Sequence, residues 1–232
     1  MSGRQLVLGL PHRPALGRED FLVAKPNEKA VSMIDRWPDW PSRALALVGP
    51  PGSGKSHLAE AWRQRAGGLT IGAADLSLAQ VPSLIAEGAL VVEDAPGEGL
   101  DERGLFHLLN LTREEGAFVL LTSRLNPPAW TIELPDLVSR LKAVPVISLG
   151  LPDDELLRGV IVKLFADRQI AADDALVSYL VARMPRELAA ARSLVAEIDQ
   201  RALEEKSNVT RAFVSRVLAR FAAPGSLPEE ES

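Results

Sequence analysis

The chain has 232 residues, 47% of them hydrophobic and 25% charged, with a formal net charge of −5. That is enough apolar material for one substantial core and a smaller one, and too acidic a balance for a protein that holds nucleic acid by bulk charge. Without cysteine there is neither a disulfide framework nor a thiolate metal site; no apolar run approaches the ~18 residues that span a bilayer, and the N-terminus shows no secretory h-region, so a cytoplasmic protein with no membrane partner is expected.

Taken in order, residues 1–17 read as a tail and linker in which Gly3, Gly9, Pro11 and Pro14 break any helix while Leu6, Val7, Leu8 and Leu10 form an apolar cluster. Over 27–37, Ala30, Val31, Met33 and Ile34 occupy neighbouring helical positions, and Pro38 ends the helix they predict. Ala44-Leu45-Ala46-Leu47-Val48 is an unbroken apolar run, as a strand buried on both faces requires. It leads into Gly49-Pro50-Pro51-Gly52-Ser53-Gly54-Lys55-Ser56, which fills every fixed position of G-x-x-x-x-G-K-[ST], and then into a helix beginning near His57. In such a P-loop, glycines let the backbone turn its N–H groups toward phosphate oxygens and the lysine brings positive charge to the outer phosphates. The hydroxyl after it can ligate Mg²⁺, and the helix N-terminus adds partial positive charge. The expected ligand is ADP or ATP with Mg²⁺.

Leu69-Thr70-Ile71 is a short strand and 81–87 a short helix. Ala89-Leu90-Val91-Val92 closes on Glu93 and Asp94, so a buried strand delivers two carboxylates to its carboxyl end, the place for a metal ligand and a water-activating group (Walker B). Residues 102–115 form a helix with Leu105, Phe106, Leu108, Leu109 and Leu111 toward a core; Ala117-Phe118-Val119-Leu120-Leu121-Thr122-Ser123 is a further buried strand. Ala143-Val144-Pro145-Val146-Ile147-Ser148-Leu149 is a fifth, and its proline, which removes a ladder donor, assigns it to an edge. Five strands alternating with helices predict an α/β fold with a doubly wound parallel sheet over 18–150. From Asp153 onward only helices are read, over 153–168, 173–183, 186–206 and 210–221, with Asp153, Asp173 and Thr210 at N-cap positions. They predict a small all-α lid domain over 151–223, followed by an acidic disordered tail over 224–232.

A P-loop sheet domain followed by a helical lid resembles the AAA+ ATPases, and local matches narrow the resemblance to the DnaA-related branch. Phe21-Leu22-Val23 with Asn27 and Ala30, the run from Gly52 through Lys55, Ser56, His57 and Leu58, Leu105-Phe106-His107-Leu108-Leu109-Asn110, Leu121-Thr122-Ser123, Leu137-Val138-Ser139-Arg140-Leu141 and Pro185-Arg186-Glu187-Leu188 match DnaA in order, over about 18–221. Gln5-Leu6-Val7-Leu8-Gly9-Leu10 is similar to the sliding-clamp-binding motif that opens the Hda group of DnaA-homologous regulators. The resemblance implies that Phe21, the P-loop, His57 and the lid residue Arg186 contact the nucleotide and that Ser56 and Glu93 hold the metal. It assigns Glu93 and Asp94 to the catalytic site and makes Arg140 an arginine finger acting on a partner's nucleotide. The implied partners are the β sliding clamp of DNA polymerase III, bound through Gln5, Leu6, Leu8 and Leu10, and DnaA, with a possible homodimer and no strong direct DNA binding.

Two positions depart from the family pattern. Glu93 stands where Walker B offers a shorter Asp, and Arg124 follows Thr122-Ser123 where the family has an acidic or amide group able to orient water. Both point to slow intrinsic hydrolysis and a nucleotide used as a structural switch. The competing expectation is an ATPase acting in its own right, such as a DnaA-like or helicase-loader-type factor.

Overall fold

The computed structural model describes residues 21–221; the proposed clamp-binding residues Gln5, Leu6, Leu8 and Leu10 and the acidic tail lie outside them. Five strands, β1 Ala44–Val48, β2 Leu69–Gly72, β3 Ala89–Ala95, β4 Phe118–Ser123 and β5 Val146–Ser148, form one all-parallel sheet in the order β2-β3-β4-β1-β5. The α/β fold with a five-stranded parallel sheet and a helical lid is thus the observed one.

The two-residue period of β1 places Ala44, Ala46 and Val48 on one face and Leu45 and Leu47 on the other, and all five are buried. The first face is covered by α3 (Val81–Ile85), α4 (Glu102–Glu114) and α5 (Pro135–Ala143) through Val81, Leu105, Leu108, Leu137 and Leu141. The second is covered by α1 (Glu28–Asp35) and α2 (Lys55–Ala66) through Val31, Ile34, Leu58 and Trp62. Helices on both faces are what an open parallel sheet needs to bury its near-continuous apolar strands.

Two elements differ from the sequence reading. The segment 135–143 is a helix: Pro135 opens it, Asp136 lies in its first turn, Arg140 and Lys142 in its last, and Leu137 and Leu141 are buried one turn apart. The fifth strand shrinks accordingly to Val146–Ser148. Pro145 only precedes it, its carbonyl accepting from Ala46 N at 2.9 Å, and β5 sits at the sheet edge as the proline required.

Beyond Gly150, whose N–H is held by Pro26 O at 2.9 Å, come α6 (Asp154–Asp167), α7 (Asp174–Val181), α8 (Leu188–Glu205) and α9 (Arg211–Phe221). They share a separate core that includes Leu157, Ile161, Phe165, Leu180, Leu194, Ile198 and Val214. Asp153 and Asp173 cap α6 and α7 by accepting from Leu156 N and Leu176 N at 2.8 and 2.7 Å. The linker joins this core too: buried Asn27 donates to Leu22 O and accepts from Ala24 N, each at 2.8 Å, and so folds back a segment whose Leu22 and Ala24 pack on the lid.

Asp101 caps α4 and also ties in the loop before α3, accepting from Gly104 N at 2.9 Å and Leu78 N at 2.8 Å. Those two backbone N–H groups hold its carboxyl below the usual carboxylate range. A lowered folded-state pKa means that this stabilisation is present above the unfolded pKa and is lost as the pH falls through the lowered value. Asp101→Ala should therefore cost about 1–2 kcal/mol at neutral pH, and the difference from the unaltered protein should shrink as denaturation is followed into acid.

Candidate nucleotide-binding site

The P-loop leaves the carboxyl end of β1, anchored where Gly49 N donates to Ser123 O at 3.0 Å. It turns into α2 through Gly54, which takes a left-handed φ of +95° and caps the helix without a side chain. The first-turn N–H groups of Lys55, Ser56 and His57 are therefore left for an anion. Lys55 lies across the loop, its Nζ donating to Gly49 O at 2.8 Å and Pro50 O at 3.0 Å. Burial lowers its pKa, Asp94 opposes that shift, and Arg124 reinforces it. Arg124 is thus a second cation on the phosphate side of the site, in place of the water-orienting acceptor.

Glu93 and Asp94 are brought here by an irregularity in β3. Between the pairs Val92–Leu121 and Ala95–Ser123, two residues face the single Thr122, a bulge in which Asp94 takes φ +55° and its N–H is held by Thr122 Oγ1 at 3.0 Å. The bulge sends Glu93 inward and leaves Asp94 exposed. Burial raises the pKa of Glu93 while a hydrogen bond with Ser56 pulls it down, so the two residues expected to hold the metal meet. Among the described residues no group of three or more His, Cys, Asp or Glu could hold a metal; a hydroxyl and a carboxylate side by side are the protein donors that Mg²⁺ would need if phosphates and water completed its shell. Ser53 supplies a further sign of fit, since its buried hydroxyl has no hydrogen-bond partner among the described residues. Ser123, by contrast, is committed: its hydroxyl donates to Leu125 O at 2.7 Å and accepts from Leu125 N and Trp130 Nε1.

The lid closes one side. Leu188 N donates to Gly52 O at 3.0 Å, and the Glu187 side chain lies so close that a Cβ on Gly52 would stand 2.4 Å from its Cγ. Arg186 is at this lip, but its guanidinium pairs with Asp154 Oδ1 at 2.9 Å and is largely exposed, so contact with a phosphate requires exchanging that partner. His57 contributes its backbone to the helix N-terminus while its buried ring packs 5.0 Å from that of Phe21 and its Nδ1 meets Arg192 of α8. Phe21 lies under Gly54. Glu187 and Arg192 are site residues the sequence reading missed; Pro185-Arg186-Glu187-Leu188 marked the segment, but only the tertiary fold puts Arg192 against His57.

Arg140 is elsewhere. It projects from α5 into a cleft lined by Ala44, Phe118 and Val144, residues at the amino ends of the strands or just before them. Five residues of β1 span roughly 16 Å, so Arg140 and the P-loop stand at opposite ends of the sheet.

No protein-family model matches the chain. An uncharacterised protein of Haemophilus influenzae is 28% identical over 118 residues, 50% of this chain and 51% of that protein, so the match spans about half its length. Among solved structures, domain III of the replication initiation protein DnaA from Thermotoga maritima is similar over 91% of this chain and 98% of that one, with a TM-score of 0.75 at 18% identity. AMPPCP-bound DnaA from Aquifex aeolicus gives 0.67 at 18% identity over 83% of this chain and 67% of that one. A Thermotoga maritima RuvB variant gives 0.69 at 13% over 88% and 72%. At these identities the likeness concerns the fold, an α/β parallel sheet with helices that this chain shares with DnaA domain III and with RuvB. Among the described residues no helix is long and apolar enough to cross a membrane.

The closeness of Glu187 to Gly52 gives a direct test of the loop. Gly52 has φ +73° as well as this crowding, whereas Gly99 has φ +77° in open space. Gly99→Ala should cost only the conformational part, about 1 kcal/mol; Gly52→Ala should cost more and also speed amide exchange at Leu188, as read by denaturant melts and hydrogen exchange.

Proposed function

We propose that this chain binds ADP or ATP with Mg²⁺ at its P-loop and acts as a negative regulator of replication initiation. In this reading it is held on the sliding clamp of DNA polymerase III through Gln5, Leu6, Leu8 and Leu10 and stimulates ATP hydrolysis on DnaA in trans. Nucleotide binding rests on Lys55, the α2 N-terminus and the Ser56–Glu93 pair. A related fold in its AMPPCP-bound form agrees with it. When bound, the nucleotide supplies the phosphates that Lys55 turns toward and that complete the Mg²⁺ shell.

The observation that carries the trans role is the position of Arg140 at the end of the sheet opposite its own P-loop. There it lies exposed on the cleft, about the length of β1 away from the chain's own phosphate site and without an ion-pair partner among the described residues. The chain's own hydrolysis is weakly provided for. Thr122 and Ser123 spend their hydroxyls on Asp94 N and on Leu125 with Trp130, and Arg124 has no acceptor to orient a water. Glu93 and Asp94 remain as the acidic pair, with Glu93 engaged by Ser56.

The test is single-turnover hydrolysis of ATP preloaded on DnaA, with clamp-loaded DNA present. Arg140→Ala should leave ADP affinity within about twofold while losing roughly 10³-fold of the stimulated rate, the scale of a finger arginine. Arg140→Lys should recover little, because a point charge does not replace a planar fork. Full stimulation by Arg140→Ala would remove the trans mechanism.

A further inference from the structure

The cleft that receives Arg140 contains more than one arginine. It encloses about 520 Å³ and is lined by Arg43, Arg113, Arg140, Trp40, Phe118 and, as its one carboxylate, Asp39, with Pro38, Pro41, Ser42, Ala44, Leu109, Ala143 and Val144 completing the wall. Three elements deliver the cations: Arg43 immediately precedes β1, Arg113 is in the last turn of α4 and Arg140 in the last turn of α5. The floor is rigid, because Trp40 stacks on Trp62 at 5.0 Å with its indole N–H on Met33 O at 2.8 Å, and Phe118 meets Trp40 edge to face. Arg43 is fixed on that floor. Its guanidinium lies 4.4 Å above the Phe118 ring and its Nη1 donates to Gly116 O at 2.9 Å, one of the five N–H groups an arginine carries.

A cation in the last turn of a helix is stabilised by the dipole, which accounts for Arg113 and Arg140 singly. It does not account for their convergence with Arg43 on one cleft. Some exposed arginines have carboxylate partners, Arg158 with Asp174, Arg186 with Asp154 and Arg216 with Glu205, while Arg36, Arg103 and Arg124 are exposed with no ion pair among the described residues. Among the described residues Arg113 and Arg140 have no ion pair either, so what sets them apart is the cleft they share with Arg43 rather than the lack of a partner. Three guanidinium groups over an aromatic floor match a compact, multiply charged anion. They do not make the extended basic stripe that tracks a nucleic-acid backbone, and the chain's net charge is −5.

We propose that Arg43 and Arg113, together with Arg140, form a receptor for the phosphoryl groups of a nucleotide held in the P-loop of a second protein, with Arg43 as the fixed anchor and Arg113 as a second phosphate ligand. The proposal rests on the reading of Arg140 as acting in trans and adds two residues to it. A single guanidinium can stabilise charge without fixing the partner's orientation. Three, projecting from three elements, set which way the partner's phosphates lie.

The first arm of the test needs no partner. The full chain carrying Lys55→Ala, which removes the ammonium from its own P-loop, is titrated calorimetrically with tripolyphosphate at low salt. One-to-one binding is expected, weakened about tenfold by Arg113→Ala and by Arg43→Ala, the scale of one lost charge-assisted contact. If Lys55→Ala lowers the melting temperature, the unaltered P-loop saturated with ADP serves instead. Arg113 is exposed and makes no hydrogen bond or ion pair among the described residues, so its variant stays informative if Arg43→Ala loosens Phe118. No binding, or binding indifferent to Arg113→Ala, overturns the proposal, as does tighter arginine-dependent binding of a single-stranded oligonucleotide. In the second arm, Arg113→Ala should lower stimulated hydrolysis on DnaA about tenfold. Loss with Arg140→Ala but not with Arg113→Ala would leave the finger standing and overturn the receptor. If the unaltered protein stimulates nothing, the regulatory reading falls, and the tripolyphosphate titration alone decides the cleft.

Discussion

One backbone hydrogen bond, from Leu188 N to Gly52 O, ties the helical lid to the P-loop at the point where phosphate would bind. A P-loop must keep its N–H groups pointing inward, so its carbonyls turn outward and need partners. Here the lid supplies one. Glu187 lies over the same glycine, and Phe21 and Leu188 close around Gly54. The meeting of His57 with Arg192 extends the seam along α2 and α8. A change in loop conformation therefore has a short route to the lid, with no long chain of contacts to invoke. Arg186, held by Asp154 at the lip, is placed to exchange partners as the loop changes.

The sheet gives the molecule two chemically different ends. At the carboxyl end the bulge in β3 turns Glu93 toward Ser56 and leaves Asp94 at φ +55°, a conformation that costs a non-glycine residue about 1–2 kcal/mol. Thr122 offsets part of that cost by accepting the Asp94 N–H. At the amino end lie the aromatic floor and three arginines. The carboxyl end thus mixes Glu93 and Asp94 with Lys55 and Arg124, whereas the cleft at the amino end sets three arginines against the single carboxylate of Asp39.

Much of this was legible in the residues. The apolar runs at 44–48, 89–92 and 118–121 could only be strands buried on both faces, and the P-loop fixed where the sheet's carboxyl end had to be. The caps Asp153 and Asp173 marked the lid helices correctly. The helix α5 escaped because its first turn lacks a capping side chain and it buries only Leu137 and Leu141; Pro135 with Asp136 after it was the available signal. The bulge was illegible because Glu93 and Asp94 satisfy a strand-end pattern whether or not the ladder slips. Glu187, Arg192 and the cleft arginines depend on contacts between distant segments that no local period encodes. Arg140 could be placed by resemblance, but its distance from the P-loop, and its company with Arg43 and Arg113, came only with the fold.

If P-loop and lid respond to nucleotide as one unit, hydrogen exchange of the intact protein with and without ADP and Mg²⁺ will show it. The account expects added protection in two places at once, residues 49–58 and residues 186–192, with little change in the outer turns of α9. Protection confined to the P-loop, or none in either segment at saturating ADP, would contradict it.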